Sequence, residues 1–83
     1  MDFLAKIYIT LKESVLDPQG TAVTHALHTL HYRTVSDVRV GKYMEVTLSA
    51  ASTEEASTLI RGMCDDLLTN PVIEKYTYEL VEA

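Results

Sequence analysis

Phe3-Leu4-Ala5-Lys6-Ile7-Tyr8-Ile9-Thr10-Leu11 alternates without a break. Phe3, Ala5, Ile7, Ile9 and Leu11 share one side, while Leu4, Lys6, Tyr8 and Thr10 share the other. That is the two-residue period of a strand with one apolar and one mixed face. The run is rich in β-branched and aromatic residues and free of Gly and Pro, so it predicts a central strand. Leu4 and Tyr8 are large apolar groups on the side the core does not claim, which makes them candidates for an interface between copies of the chain.

Downstream, Asp17-Pro18-Gln19-Gly20 predicts a helix start. Asp17 caps the free amides, and Pro18 takes the first helical position, where its missing N–H costs nothing. The helix is expected to reach about Leu30, with Val23, Ala26, Leu27 and Leu30 on its apolar face. His25 and His28 then fall on the far side, and His31 near the end. Val38 to Leu48 predicts a β-hairpin. A three-residue connection, Gly41-Lys42-Tyr43, would pair Val40 with Met44 and Val38 with Val46, keeping one apolar face, whereas a two-residue loop would scramble it.

Ser52-Thr53-Glu54-Glu55 is a capping-box pattern that opens a second helix. Ala56, Leu59, Ile60, Met63 and Leu67 form its expected stripe, with Cys64 and Leu68 at the edges and Gly62 opposite. Thr69-Asn70-Pro71 is expected to stop it, with Asn70 in a left-handed terminal position. The last strand is predicted over Val72–Val81, with Tyr76, Tyr78 and Leu80 on one side. The order βαββαβ predicts one α+β domain over residues 1–83. Right-handed crossovers give a ferredoxin-like sandwich, two helices packed on one face of a four-stranded antiparallel sheet. The opposite face stays bare, and Leu4, Tyr8 and Tyr43 on it predict association into at least a dimer.

Composition narrows the function classes. Eighty-three residues bury roughly 60–65% of their unfolded surface, so the core is thin. Twelve acidic against seven basic residues, a net charge of -5, argue against nucleic acid and against an anionic membrane surface. Cys64 is the single cysteine, which excludes an internal disulfide and favours a reducing compartment. No apolar run approaches the ~20 residues of a bilayer span, and the N-terminus lacks the segments of a signal peptide, so a cytoplasmic protein is expected.

No group of residues assembles into a reaction centre. His25, His28 and His31 are spaced for sharing a metal in pairs, yet no third firm ligand accompanies them. Cys64 has Asp65 and Asp66 beside it, which disfavour a thiolate. Glu54-Glu55 suits a helix start better than acid–base work. Gly41-Lys42 lacks the remaining glycines of a phosphate loop, and the tyrosines lack the basic surround of an RNA-binding sheet. No catalytic, cofactor-binding or metal residue is assigned. Physical reading alone reaches an α+β protein-interaction domain.

Longer blocks carry a resemblance. Val15-Leu16-Asp17-Pro18-Gln19-Gly20 with Ala22-Val23 and Ala26-Leu27, then Val38-Arg39, Gly41-Lys42 and Glu45, then Cys64-Asp65-Asp66-Leu67-Leu68 and Asn70 to Tyr76, stand in the order of the PurS family. The chain resembles these small subunits of phosphoribosylformylglycinamidine synthase over nearly its whole length. The resemblance implies a non-catalytic assembly subunit in purine biosynthesis. A PurL-like large subunit would carry the ligase chemistry with ATP and magnesium, and a PurQ-like subunit would release ammonia from glutamine. The small subunit would join the two for ammonia transfer and would itself be a homodimer or larger. Asp17, Pro18, Gln19, Gly20, Arg39, Gly41, Lys42 and Glu45 are the expected partner-binding residues. Ser14 and His31 stand where the family often has Gly, and His31 puts the end of the first helix in question. A regulatory module that binds a small molecule near Asp17–Gly20 is the competing expectation.

Overall fold

In a computed structural model that describes all 83 residues, the chain runs β1 (Asp2–Leu11), α1 (Pro18–Thr29), β2 (Gly41–Ser49), α2 (Thr53–Met63), a π-helical turn (Cys64–Leu68) and β3 (Glu74–Glu82). β1 lies between β2 and β3 and is antiparallel to both. Its alternation sets the whole sheet. Ala5 faces Val46 and Leu80, and Ile7 faces Met44 and Tyr78, so one side of all three strands is apolar. Phe3, Ala5, Ile7 and Ile9 are at most 1% exposed. α2 covers them through Ala56, Ile60 and Cys64, which are four residues apart and therefore share one stripe.

The predicted hairpin does not form, and the sheet has three strands where four were expected. Gly41, Lys42 and Tyr43 pair with Thr10, Ile9 and Tyr8 inside β2, so they are strand residues and no loop. β1 is long enough to take β2 along its full length, and that pairing leaves residues 41–49 as an edge strand of the sheet. A Cβ on Gly41 would press on the Ile9 carbonyl and lie 2.8 Å from Thr10 Cγ2. This glycine serves close strand approach. Val38–Val40 stays outside the sheet because its hydrogen bonding goes to the start of α1: the Val40 N–H donates to Asp17 Oδ2 at 2.8 Å.

The second correction concerns α1. Its bounds agree with the capping pattern, but its expected core face is not in the core. α2 packs on the sheet, whereas neither the strands nor α2 pack along α1. Val23 and Leu30 are exposed. The chain measures 51 × 26 × 14 Å with a radius of gyration of 16.4 Å, against about 12 Å for a compact chain of this length. α1 ends as His31 takes a left-handed φ of 73°. The Tyr32 N–H donates to Leu27 O and the His31 N–H to His28 O, the paired bonds of a Schellman end.

In α2 the stripe is rotated from the expected one. Cys64 is in the core rather than at its edge, and Leu67 is outside. The π turn is the reason: the Thr69 N–H and hydroxyl both donate to Cys64 O, five residues back, and the wider turn swings Leu67 out. Thr69 is extended, with φ −127° and ψ 158°. Asn70 is not left-handed, since His31 is the non-glycine residue with positive φ. The Asn70 side chain accepts from the Val72 N–H instead, at 3.1 Å.

Candidate functional site

The expected partner-binding residues divide into two groups on the folded chain. The first is a knot where the start of α1 meets the segment before β2. Asp17 is only 6% exposed. Its Oδ1 accepts from the Gly20 N–H at 2.9 Å, which caps the helix, and its Oδ2 accepts from Val40. Gly20 lies against this crossing, where a Cβ would overlap the Val38 carbonyl oxygen. Arg39 donates to the carbonyls of Leu11, Lys12 and Val15 at 3.2, 2.8 and 3.2 Å. One guanidinium thus gathers three carbonyls at the end of β1 and in the β1–α1 loop.

These contacts set the electrostatics of the knot. The Asp17 carboxyl is held below the usual carboxylate range, first by the Gly20 N–H, then by the Val40 N–H, with Arg39 adding attraction. Glu13 is also lowered, chiefly by its hydrogen bond to Lys75. A shallow cleft of about 340 Å³ opens beside the knot, lined by Ser14, Leu16, Asp37 and Arg39 among others. Leu16 projects from its rim. Asp17, Pro18, Gln19, Gly20 and Arg39 therefore form one place on the surface, although they lie up to 22 positions apart.

The second group is on the open side of the sheet. Tyr8 and Tyr43 are cross-strand partners with ring centroids 5.2 Å apart. Tyr43 donates to Glu45 Oε2 at 2.8 Å. That bond, with some burial, pushes the phenol up to about 12. Leu4 is on the same face, and Lys6 lies between Glu45 and Glu79. The face is a mixture of aromatic, aliphatic and paired charged groups. Gly41 pairs with Thr10 at the start of β2, and Lys42 points to the other side of β2, where it meets Glu74 at 3.1 Å. Glu74, whose carboxyl is lowered first by the Asn70 N–H and then by Lys42, was not anticipated as a partner.

The side chains with reactive potential are engaged elsewhere or far apart. Cys64 is buried, and burial followed by the Asp65 charge pushes its thiol up. His28 Nε2 lies 2.7 Å from Val35 O. No three His, Cys, Asp or Glu side chains converge as a metal site. No helix is long and apolar enough to cross a membrane. The geometry is that of a hydrogen-bonded knot beside a shallow cleft and an open sheet face of mixed character on a small scaffold.

Comparison with known proteins agrees with that geometry. The family described as PurS: Phosphoribosylformylglycinamidine (FGAM) synthase matches residues 4–82. The PurS subunit of phosphoribosylformylglycinamidine synthase from Bacillus subtilis is 54% identical over 80 residues, 96% of this chain and 94% of its own. The corresponding Archaeoglobus fulgidus subunit is 45% identical over 74 residues, 89% of this chain and 92% of its own. Among solved structures, B. subtilis PurS superposes with a TM-score of 0.87 over 96% of this chain and 99% of that one. A chain of PurLQS from Thermotoga maritima is 27% identical and superposes with a TM-score of 0.89, over 98% of this chain and 99% of that one.

Proposed function

The chain belongs to the PurS family, and from that premise we propose that it is the assembly subunit of a phosphoribosylformylglycinamidine synthase, acting with a PurL-like ligase and a PurQ-like glutaminase. The complex converts formylglycinamide ribonucleotide to formylglycinamidine ribonucleotide with ATP and glutamine. ATP and magnesium belong to the large subunit in this reading, and the chain described above supplies surface rather than chemistry. The observation that carries the proposal is the superposition on a chain of the Thermotoga PurLQS structure across nearly the full length. A scaffold whose Asp17, Gly41 and Arg39 are occupied in capping, strand approach and carbonyl binding fits an assembly role.

Within this reading, the Asp17–Gly20 and Arg39 knot presents Leu16, Pro18 and Gln19 to a partner subunit. Lys42 and Glu45 add contacts on the two faces of β2, Lys42 beside Glu74 and Glu45 on the open side. Leu4 and Tyr8 form a contact between copies on the open sheet face, where an aromatic ring with a polar tip suits an interface. Because the knot is made of side-chain hydrogen bonds to backbone groups, it holds the surface rigid before a partner arrives, which lowers the ordering cost of binding.

Reconstitution tests the function. The three subunits, mixed with formylglycinamide ribonucleotide, ATP, magnesium and glutamine, should form product at a rate that falls to background when this chain is left out. Full glutamine-dependent turnover by the other two subunits alone would refute the assembly role.

A further inference from the structure

The ladder between β1 and β2 stops one step before β1 does. Its last pair is Thr10 with Gly41, while on the other side β1 stays paired as far as Leu11 with Glu74. Continuing the register would set Leu11 opposite Val40. The main chain of Leu11 is oriented for that pair. The next N–H, that of Lys12, donates to Ile73 O at 2.8 Å on the β3 side. Strand amides alternate in direction, so the N–H and carbonyl of Leu11 point toward β2. The side chains agree, since Leu11 and Val40 both fall on the apolar side, in line with Ile7 and Met44. Yet no backbone bond joins Leu11 to Val40.

Two side chains occupy the groups that this pair would use. Asp17 Oδ2 accepts from the Val40 N–H at 2.8 Å, and Arg39 Nη2 donates to Leu11 O at 3.2 Å. The Val38 carbonyl lies against Gly20 at the start of α1. Gly41 is where the chain leaves β1. In a regular pleat a Cβ stands off the sheet, but one built on Gly41 would run into the Ile9 carbonyl of the neighbouring strand. Residue 41 is therefore turned out of the pleat.

We propose that residues 38–40 are a strap with two seats. In the first, Asp17 and Arg39 hold the strap against α1. In the second, the strap zips onto β1 through a Leu11–Val40 pair, with Gly41 as the pivot. The Val40 N–H then exchanges the carboxylate for the Leu11 carbonyl, and the Leu11 N–H gains the Val40 carbonyl. Val38 and Val40 are β-branched and suit a strand, whereas the bond to Asp17 is charge-assisted and keeps Val40 off it. The held seat builds the cleft beside Leu16, since Asp37, Val38 and Arg39 form one of its walls. A partner that binds Leu16, Pro18 and Gln19 therefore selects the held seat. This last step rests on the assembly reading above.

Amide NMR on the isotope-labelled whole chain tests the strap. Asp17→Asn has one side-chain acceptor for two N–H groups, and as a good helix cap it keeps the Gly20 N–H and releases Val40. Gly41→Ala leaves the cap intact and forbids the turn at residue 41. Both should move the strap to the sheet. An amide–amide NOE between Leu11 and Val40, absent in wild type, should appear, and exchange of the Leu11 amide should slow roughly tenfold or more. The Ile7 and Met44 amides should stay as protected as in wild type. A Leu11–Val40 contact already strong in wild type would overturn the held seat. Variants whose strap amides exchange freely, with no Leu11–Val40 contact, would overturn the second seat. Collapse of the whole sheet in both variants would do the same, because residues 38–40 would then belong to one cooperative unit with it. Titration with the large subunit and glutaminase separates the functional step: each zipped variant should bind roughly tenfold more weakly than wild type. Equal affinity in a variant shown to be zipped would overturn the part that the strap plays in partner binding. A wild type that binds neither subunit would refute the assembly reading, and the two seats would still be decided by the NMR result.

Discussion

Replacing Gly20 by alanine reverses the sign that helix propensity assigns to it. In an ordinary helix position, alanine is worth about 1 kcal/mol over glycine. At Gly20 the new Cβ would overlap the Val38 carbonyl oxygen and lie 3.0 Å from Asp17 Oδ2. A backbone carbonyl cannot rotate aside as a side chain does, so residues 38–40 must move away from α1, straining the bond from Val40 to Asp17. Overpacking of this kind costs about 1–3 kcal/mol, and the backbone obstacle puts Gly20→Ala at the upper end. After the propensity gain, the net loss is about 2 kcal/mol. For a domain of this size that lowers Tm by about 8–16 °C. Thermal unfolding followed by circular dichroism should be run at one fixed protein concentration, because association makes Tm concentration-dependent. Thr21→Ala, at the exposed next position, is the control and should rise by a few tenths of a kcal/mol from propensity alone. A Gly20→Ala protein that melts with or above wild type would refute the close approach of α1 to residues 38–40.

His31→Gly should stabilise the chain by about 1 kcal/mol, because the left-handed conformation strains a residue with a Cβ; a higher urea midpoint with unchanged slope would register it. The Asp17 carboxyl titrates below its ordinary 3.8 in the folded chain. Its contribution is therefore present above the unfolded value and is lost as pH falls through the folded one. Urea midpoints measured from pH 5 down to 2.5 should fall more steeply for wild type than for Asp17→Asn, in which Glu13 and Glu74 still titrate. Tyr43 behaves in the opposite sense: its raised value, about 12, means that its contribution holds below pH 10 and is lost as pH rises through 12. Absorbance titration should show a late tyrosinate step that Tyr43→Phe removes.

The local grammar was legible in the chain itself. β1 could be read from its alternation, because a period of two admits one backbone conformation and one buried face. The start of α1 followed from Asp17 and Pro18, and the start of α2 from Ser52 and Glu55, because caps act within three residues of themselves. The resemblance of the Asp17–Gly20 and Asn70–Tyr76 blocks to the PurS family was legible for a similar reason, since such blocks are read as short words. Other features depended on groups far apart in the chain. Whether Val38–Val40 joined the sheet was a competition between the β2 edge and the Asp17 carboxylate, 23 positions away, and the carboxylate took the Val40 amide. The π turn at Cys64–Leu68 moved Leu67 outward because the Cys64 carbonyl received its bonds from Thr69. The apolar stripe of α1 announced that Val23 and Leu30 want a neighbour, and periodicity carries no information beyond that. That the neighbour is not the chain's own sheet was decided by tertiary structure, where the segment 35–40 closes over the polar side of α1 and leaves the stripe facing away.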